Sequence, residues 1–254
     1  ITEKAGSANL HTTSIGGLYS AKIRLSEGWM VSPGLNFAYG NRGVDFDKLV
    51  FGDQIEYNGP TLDDAVSQLN NRSYFDFGSG VVIYNKLMWL GFSVSHINEP
   101  NHSLLGENAK LPMKQSVHGG VRIPVKMHPL AKMKLSSISP SFIYTQQGEF
   151  RQFDLGVNVV YDPILIGLWY RGLPIEKNYS GKANQDALIF MLGLNLKGLE
   201  VGYSYDLSIS EMAGNSGGSH EISIIYQFDG LNPRKVRKKD KFLPCPNYPH
   251  FKNF

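Results

Sequence analysis

The sequence predicts an all-β protein, specifically a transmembrane antiparallel up-and-down β-barrel. Three observations support this prediction: apolar residues alternate with small or polar residues along many segments, these segments are long, and their connections are alternately short and long. Alternation with a period of two residues places apolar side chains on one face of a strand and polar side chains on the other. One such row comprises Leu199, Val201, Tyr203, Tyr205, Leu207 and Ile209, with Glu200, Gly202, Ser204, Asp206 and Ser208 between them.

We predict eleven strands in this chain. Each has about 10 residues or more, which a tilted strand needs to cross a bilayer, whereas strands of soluble proteins average about 5–6 residues. Because bacterial single-chain barrels have an even number of strands, we expect at least one strand upstream of Ile1 and about 12–14 strands in the full-length protein. The predicted strands are residues 11–25, 28–42, 73–84, 87–98, 114–126, 133–146, 150–162, 163–173, 185–196, 198–210 and 218–228.

Aromatic residues indicate which face of the predicted barrel meets lipid. Barrels of the outer membrane carry girdles of Trp and Tyr at both membrane interfaces, where the strands end. We therefore expect the apolar rows to face lipid and the small and polar residues to face the lumen. The aromatic residues near predicted strand ends are Trp29, Tyr39, Tyr84, Tyr161, Tyr170 and Tyr226.

Continuing the alternation places several charged residues on the lumen side. We interpret them as side chains that pair across strands or solvate a polar lumen, and so brace it. The alternative is that they line a path for a substrate or a peptide. The predicted lumen charges are Arg122, Asp154, Arg171, Asp206 and Glu221.

The end of the chain differs in composition, so we predict a barrel at 1–229 and a basic periplasmic tail at 230–254. Residues 231–254 carry a net charge of +6, which leaves −3 on the remainder of a chain whose total is +3. A basic, Pro-rich peptide that bears aromatic residues suits an acidic partner surface, and a disordered tail is the alternative. The predicted partner-binding residues are Arg234, Lys235, Arg237, Lys238, Lys239, Phe242, Tyr248 and Phe251.

The sequence offers no constellation for catalysis, metal binding or cofactor binding, and we predict none of the three. Ser219 and His220 are consecutive on a predicted strand, so their side chains point to opposite faces and cannot act as nucleophile and base. The seven histidines lack zinc-ligand spacing, and no phosphate-binding loop is present. The chain also lacks the stretch of about 18 apolar residues that a transmembrane helix requires.

One long connection contains a pattern of its own. Residues 61–70 predict a short helix, because Leu62, Val66 and Leu69 fall on one face and Thr61 is a suitable N-cap. We interpret this helix as folding over the barrel, with contact to cargo or a partner as the alternative.

Seven short motifs, in order along the chain, resemble those of the PorP/SprF family of the type IX secretion system. Together they span most of the sequence from about residue 11 to residue 228. The motifs are residues 44–49 with 51–54, then 96–101, 118–120, 167–172, 186–188, 202–206 and 218–223.

The resemblance implies a non-enzymatic outer-membrane barrel of Bacteroidota-type bacteria, with about fourteen strands. It implies a role in the secretion or surface retention of cargo, notably adhesins used in gliding. The implied partners are periplasmic ring or motor proteins or peptidoglycan-associated proteins, the adhesin cargo and outer-membrane lipid, but not nucleic acid. The alternative function, from a different class, is a substrate-specific or passive diffusion channel.

Overall fold

The computed structural model shows that the chain is almost entirely β-structure. It describes residues 1–6, 9–45, 49–57, 59–61, 71–104, 108–125, 136–177, 183–196, 199–210 and 218–226. Within these residues there are fourteen strands and one helix, α1 (Gly52–Tyr57). The strands are β1 (Thr2–Ala5), β2 (Leu10–Ser20), β3 (Ile23–Ser26), β4 (Trp29–Gly43), β5 (Arg72–Tyr84), β6 (Met88–Ser95), β7 (Lys114–Val121), β8 (Ile123–Val125), β9 (Ser136–Gln147), β10 (Phe150–Tyr161), β11 (Ile164–Lys177), β12 (Ala183–Leu196), β13 (Leu199–Ser208) and β14 (Ser219–Tyr226).

All fourteen described strands belong to one sheet, and nearly every strand pairs with its neighbour in sequence. The order is β1-β2-β4-β5-β6-β7-β9-β10-β11-β12-β13-β14, with β3 paired to β4 and β8 paired to β9. Registers such as those of β9 with β10 and β12 with β13 are antiparallel. The predicted all-β, up-and-down class is therefore confirmed. Within the described residues no register joins β1 to β14, so closure of the sheet into a barrel stays a prediction.

Each of the eleven predicted strands overlaps a strand of the structure, and the differences are local. The predicted strand 11–25 is interrupted at Ala21 and Lys22, and the predicted strand 114–126 is interrupted at Arg122. At Arg122 the backbone N–H donates to the carbonyl of Leu87, the residue that precedes β6. The short strand β1 and the helix α1 were not predicted, because four to six residues are too few to display a period. The helix predicted at 61–70 lies outside the described residues, except for Thr61.

Three short connections show how the sequence sets the turns. Gly28 and Gly148 have φ angles of 95° and 57° in the loops that join β3 to β4 and β9 to β10. Glycine adopts such angles without a steric penalty, which is why tight hairpins favour it. Between β5 and β6 the Asn85 side chain accepts hydrogen bonds from the backbone N–H groups of Leu87 and Met88, at 2.8 and 2.9 Å. The turn thereby supplies its own partners.

The chain forms two compact units. Unit 1 comprises Ile1–Ala21, Pro33–Gly80 and Ser93–Gln115. Unit 2 comprises Lys22–Ser32, Val81–Phe92 and Ser116–Phe254.

In unit 1 the exposed face of the sheet is aromatic. Phe37 stacks on Phe75 with ring centroids 5.7 Å apart, and it also contacts Phe77 at 5.3 Å. Tyr39 contacts Phe75 at 5.4 Å. All four rings are exposed although they pack on one another. Three Phe rings and one Tyr ring thus form a continuous aromatic surface on the apolar face of β4 and β5.

In unit 2 the usual distribution of polarity is reversed. The polar face of the sheet is buried: its members include Ser137, Ser139, Ser141 and Asp154, none of which is more than 7% exposed. The apolar face is exposed, and on it Leu168, Leu192 and Ile222 have exposed fractions of 51%, 53% and 75%. Soluble proteins rarely expose so continuous an apolar surface. The observed burial agrees with the interpretation that the apolar rows face outward.

Tyr84 corrects one expectation. It was predicted to belong to an exposed aromatic girdle, but it is only 2% exposed and packs with Met30 and Trp89 in a buried cluster. The parity of β5 explains the difference, since Tyr84 shares the polar face with Asp76 and Gly78 rather than the apolar face with Phe75 and Phe77. The position of Tyr84 at a strand end therefore did not reveal on which face of the sheet its side chain lies.

Among the described residues, no helix combines the length and the apolar character needed to cross a membrane.

We predict that charge is tolerated on one face of β14 and not on the other. Ile222→Arg should destabilise the protein in lipid vesicles by about 2–4 kcal/mol, the cost of Arg on a lipid-facing strand position. Ser223→Arg, one residue further and on the opposite face, is the matched control and should change stability much less. The measurement is the fraction of folded protein in lipid vesicles as a function of urea concentration. Equal losses for both variants would contradict the assignment of the two faces.

Candidate functional site

Strand registers bring three of the predicted lumen charges together on the polar face of unit 2. Asp154 of β10 lies opposite Arg171 of β11, and Arg171 lies opposite Ala187 of β12. Ala187 in turn lies opposite Ser208 of β13, and Asp206 shares its face because it is two residues away. Residues from four neighbouring strands therefore form one cluster, although 52 residues of sequence separate Asp154 from Asp206.

Arg171 bridges the two carboxylates. Its Nη1 donates to Asp206 Oδ2 at 3.0 Å, and its Nε lies 3.4 Å from Asp154 Oδ1, an ion pair without the geometry of a hydrogen bond. The side chains of Asp154, Asp206 and Arg171 are 10%, 14% and 32% exposed. The guanidinium reaches across β12 at Ala187, whose methyl group leaves room for it. Carboxylates this buried require such a partner.

Gln152 is a further hydrogen-bond partner of Asp154, and the sequence analysis did not predict it as a residue of the site. Its Nε2 donates to both carboxylate oxygens of Asp154, at 3.1 and 3.0 Å. The alternation carries the signal that could have found it, because Gln152 precedes Asp154 by two residues and must share its face. The buried carboxylate of Asp154 thus has a cationic partner, Arg171, and a neutral donor, the amide of Gln152.

A tryptophan occupies the polar face beside this network. Trp169 Nε1 donates to Asn158 Oδ1 at 3.1 Å, and its ring lies directly over Gly156, where any Cβ atom would collide with ring atoms. Glycine opposite an aromatic ring is a recurrent device for packing a large side chain on a sheet. Trp169 therefore shares the polar face with Asp154, because it lies opposite Gly156.

The other two predicted lumen charges lie outside the network. Arg122 is buried, 8% exposed, where β7 gives way to β8. Glu221 lies on β14, opposite Ser204, whose hydroxyl is 3.5 Å from Glu221 Oε2. Glu221 is exposed, so this contact contributes little. The predicted tail residues, from Arg234 to Phe251, lie outside the described residues.

Unit 1 carries a second polar cluster that the sequence analysis did not single out. His96 Nδ1 is 3.0 Å from both carboxylate oxygens of Asp76. An Nη of Arg42 is hydrogen-bonded to Nδ1 of His102. Burial lowers the pKa of His102 below its ordinary value, and the neighbouring Arg42 and His96 lower it further. Sequence could not reveal these pairs, because their members are 20 and 60 residues apart.

Within the described residues, Ser219 and His220 do not come together as a nucleophile and a base. His220 lies on the apolar face, where its Nδ1 is 2.8 Å from the Tyr203 hydroxyl and its ring contacts Tyr205 at 4.7 Å. Ser219 precedes it on β14 and therefore occupies the other face. In the part of the chain that the structure describes, no three His, Cys, Asp or Glu side chains are grouped as a metal site would need.

We predict that Arg171 compensates charge rather than simply filling space. Arg171→Met should lower the free energy of unfolding by about 3 kcal/mol, because two buried carboxylates lose their cation. Adding Asp154→Asn and Asp206→Asn to the same chain should recover most of this loss. Urea unfolding in detergent micelles measures both, and Arg72→Met at an exposed position is the control, expected to change stability by less than about 0.5 kcal/mol. Equal losses in the single and triple variants would refute charge compensation.

Comparison with known proteins assigns the chain to a family. Residues 1–226 match the family described as type IX secretion system membrane protein PorP/SprF. No curated protein matches the chain significantly. The matched region covers every described strand, including the Asp154–Arg171–Asp206 network and the cluster of unit 1. The chain therefore belongs to the PorP/SprF family of type IX secretion system membrane proteins.

Proposed function

We propose that this protein is a non-enzymatic outer-membrane component of type IX secretion that supports the secretion or surface retention of cargo such as gliding adhesins. Membership of the family supports the secretion-system role. The observation that carries the proposal is the reversed polarity of the sheet, with exposed Leu168, Leu192 and Ile222 on one face and buried Ser137 and Asp154 on the other. Such a sheet is stable when lipid covers its apolar face.

The outer membrane is the compartment that this architecture suits. In lipid every backbone N–H and C=O needs a partner within the protein, so a sheet that crosses a bilayer must have no open edge. We propose that the sheet closes into a barrel, with strands supplied by the full-length protein. Strands such as β4, β11 and β12, of 14 or 15 residues, are long enough to cross at a tilt.

The tail at 230–254 is proposed to dock periplasmic partners, either ring or motor proteins or peptidoglycan-associated proteins. The family match ends at residue 226, so the tail lies outside the matched region. Its net charge of +6 favours an acidic partner surface, and Phe242, Tyr248 and Phe251 offer apolar anchors.

The second candidate function is a diffusion channel. The polar face favours it in part, since Ser137, Ser139 and Ser141 form a hydrophilic surface. The large side chains on the same face oppose a wide pore: Trp169 covers Gly156, and the ring of Trp89 lies over Gly120. We therefore propose that the Asp154–Arg171–Asp206 network braces the polar face, rather than lining a path for solutes.

We predict that the tail determines which proteins remain associated with the barrel. Tagged full-length protein and a version ending at Phe228 are purified from native outer membranes, and the bound proteins are identified. Secretion-system components should accompany only the full-length protein. A variant with Gln at Arg234, Lys235, Arg237, Lys238 and Lys239 should lose them too, whereas a variant with Gln at Lys22, Lys86 and Lys110 should not.

The same preparations distinguish the alternatives. Partners bound equally by both lengths would place the docking surface on the barrel or its connections and refute the role of the tail. If neither length brings down a secretion component and the purified protein conducts ions steadily in planar bilayers, the channel function replaces the proposed one. Loss of adhesin from the cell surface after deletion of the gene, restored by the full-length chain, is the expected functional result.

A further inference from the structure

The segment that follows β6 contains a small two-armed structure in unit 1. One arm comprises residues 100–104 and the other residues 108–111. The N–H of His102 donates to the carbonyl of Ala109 at 3.1 Å, and the N–H of Leu111 donates to the carbonyl of Pro100 at 3.0 Å. The Asn101 side chain accepts from the N–H groups of Ser103 and Ala109, at 3.0 and 3.2 Å. The two arms thus behave as one body, which we call the strap.

The base of the strap is fixed to β5 by contacts that do not depend on charge. The N–H of Ile97 donates to the carbonyl of Phe77 at 3.0 Å. Asn98 donates from its Nδ2 to the carbonyl of Phe75 at 2.8 Å and accepts from the N–H of Phe77 at 3.2 Å. This side chain extends the ladder by one pair, as another strand residue would. Acid leaves these amide bonds unchanged.

His96, at the start of the base, is held by the carboxylate of Asp76. A carboxylate accepts a hydrogen bond from an imidazole N–H in either protonation state of the imidazole, and protonation adds an ionic attraction. This anchor therefore persists or strengthens when the solution is acidified.

His102 is held by a cation, Arg42, whereas His96 is held by a carboxylate. Arginine has only N–H donors and remains charged at every relevant pH, so the Nδ1 atom of His102 must accept the hydrogen bond from Arg42. That assignment requires a neutral imidazole whose proton is on Nε2. Protonation of His102 places a donor against a donor and a cation against a cation. The bond between strap and β4 cannot survive it.

We propose that Arg42 and His102 form a latch that holds the strap against the polar face of β4 near neutral pH, and that acidification opens this latch while the Asp76–His96 anchor stays closed.

The electrostatic surroundings favour a neutral His102 in the closed state. The charged groups that act on it are Arg42 and His96, and neither offers a negative charge that would stabilise an imidazolium. Arg42 also acts on Tyr74 of β5, as do Asp76 of β5 and Glu3 of β1. Asp76 is already engaged by His96. The cluster thus has a cation beside His102 and its carboxylate beside His96.

The direction of the pH dependence follows from linkage. Burial, with help from Arg42 and His96, lowers the pKa of His102 in the closed state, while in the open state it approaches its ordinary value of about 6.5. The open state therefore binds the proton more tightly. The latch contributes its full stability above about pH 6.5 and loses it as the pH falls from there through the lower pKa of the closed state.

Opening would change what unit 1 presents to solution. The Nε of Arg42 is buried without a hydrogen-bond partner in the closed state, and release of His102 frees the Nη that bonds it, so both nitrogens can meet other acceptors. The long connections lie at this end of β4 and β5, and barrels of the outer membrane carry their long loops on the extracellular side. The latch would make access to this end of the polar face depend on the acidity outside the cell.

Amide hydrogen exchange of the intact protein in detergent micelles tests the latch. Protection factors, corrected for intrinsic exchange, are measured from pH 7.5 to pH 5 for peptides that contain His102 and Leu111. They should be constant above about pH 6.5, fall by up to about tenfold per pH unit below it, and level off at the lower pKa. Protection of β10, in unit 2, should stay constant and report that the fold is intact.

Three variants identify the group responsible. His102→Asn keeps an acceptor near the position of Nδ1 but cannot titrate, so protection of the strap should become independent of pH. His11→Asn replaces a histidine of the same unit whose Nδ1 bonds the backbone carbonyl of Asn9, and the pH dependence should remain. His96→Asn should also leave it in place.

Several outcomes overturn the proposal. Constant protection of the wild-type strap across the pH range would mean that no latch opens. Retained pH dependence in His102→Asn would assign the effect to another group, and loss of it in His96→Asn alone would place the switch at His96 in its pair with Asp76. Parallel loss of protection in β10 would indicate general acid unfolding instead of a local release.

Discussion

Every other feature of this structure depends on the exposure of the apolar face of the sheet. Successive residues of a strand point to opposite faces, so an apolar row on one side forces small and polar residues onto the other. In unit 2 the polar side is the buried one, as Ser137 and Asp154 show, and Ile222 on the other side is three-quarters exposed. Lipid, rather than a protein core, must then cover the apolar surface.

In a sheet with reversed polarity, the main free-energy cost is the burial of polar groups. Groups this buried have little access to solvent, and each one therefore needs a partner within the sheet. Asp154 forms an ion pair with Arg171 and accepts hydrogen bonds from Gln152, and Trp169 donates a hydrogen bond to Asn158. The partners come from the same strand or from the adjacent one, because registers place side chains of one face at fixed distances. A polar network along the strands replaces the apolar core of a soluble protein.

The two polar clusters differ in their ionisable groups. The network of unit 2 pairs a guanidinium with two carboxylates. The cluster of unit 1 includes two imidazoles, and imidazole is the side chain whose unperturbed pKa lies near neutral pH. Their partners have opposite character, a carboxylate for His96 and a guanidinium for His102. The same residue type therefore serves as a permanent anchor at one position and as a releasable one at the other.

The sequence by itself determined the fold class, the number and approximate bounds of the long strands, and the face on which Asp154, Arg171 and Asp206 lie. It could do so because alternation is a local property, readable from any run of about ten residues. Only the tertiary structure decided which of these charges meet, since register fixes the pairing of residues far apart in the chain. It placed Tyr84 in a buried cluster, left Arg122 and Glu221 apart from Arg171, and joined Arg42 to His102 across 60 residues. Contacts of that range depend on strand order and loop path, and neither leaves a periodic trace in the sequence.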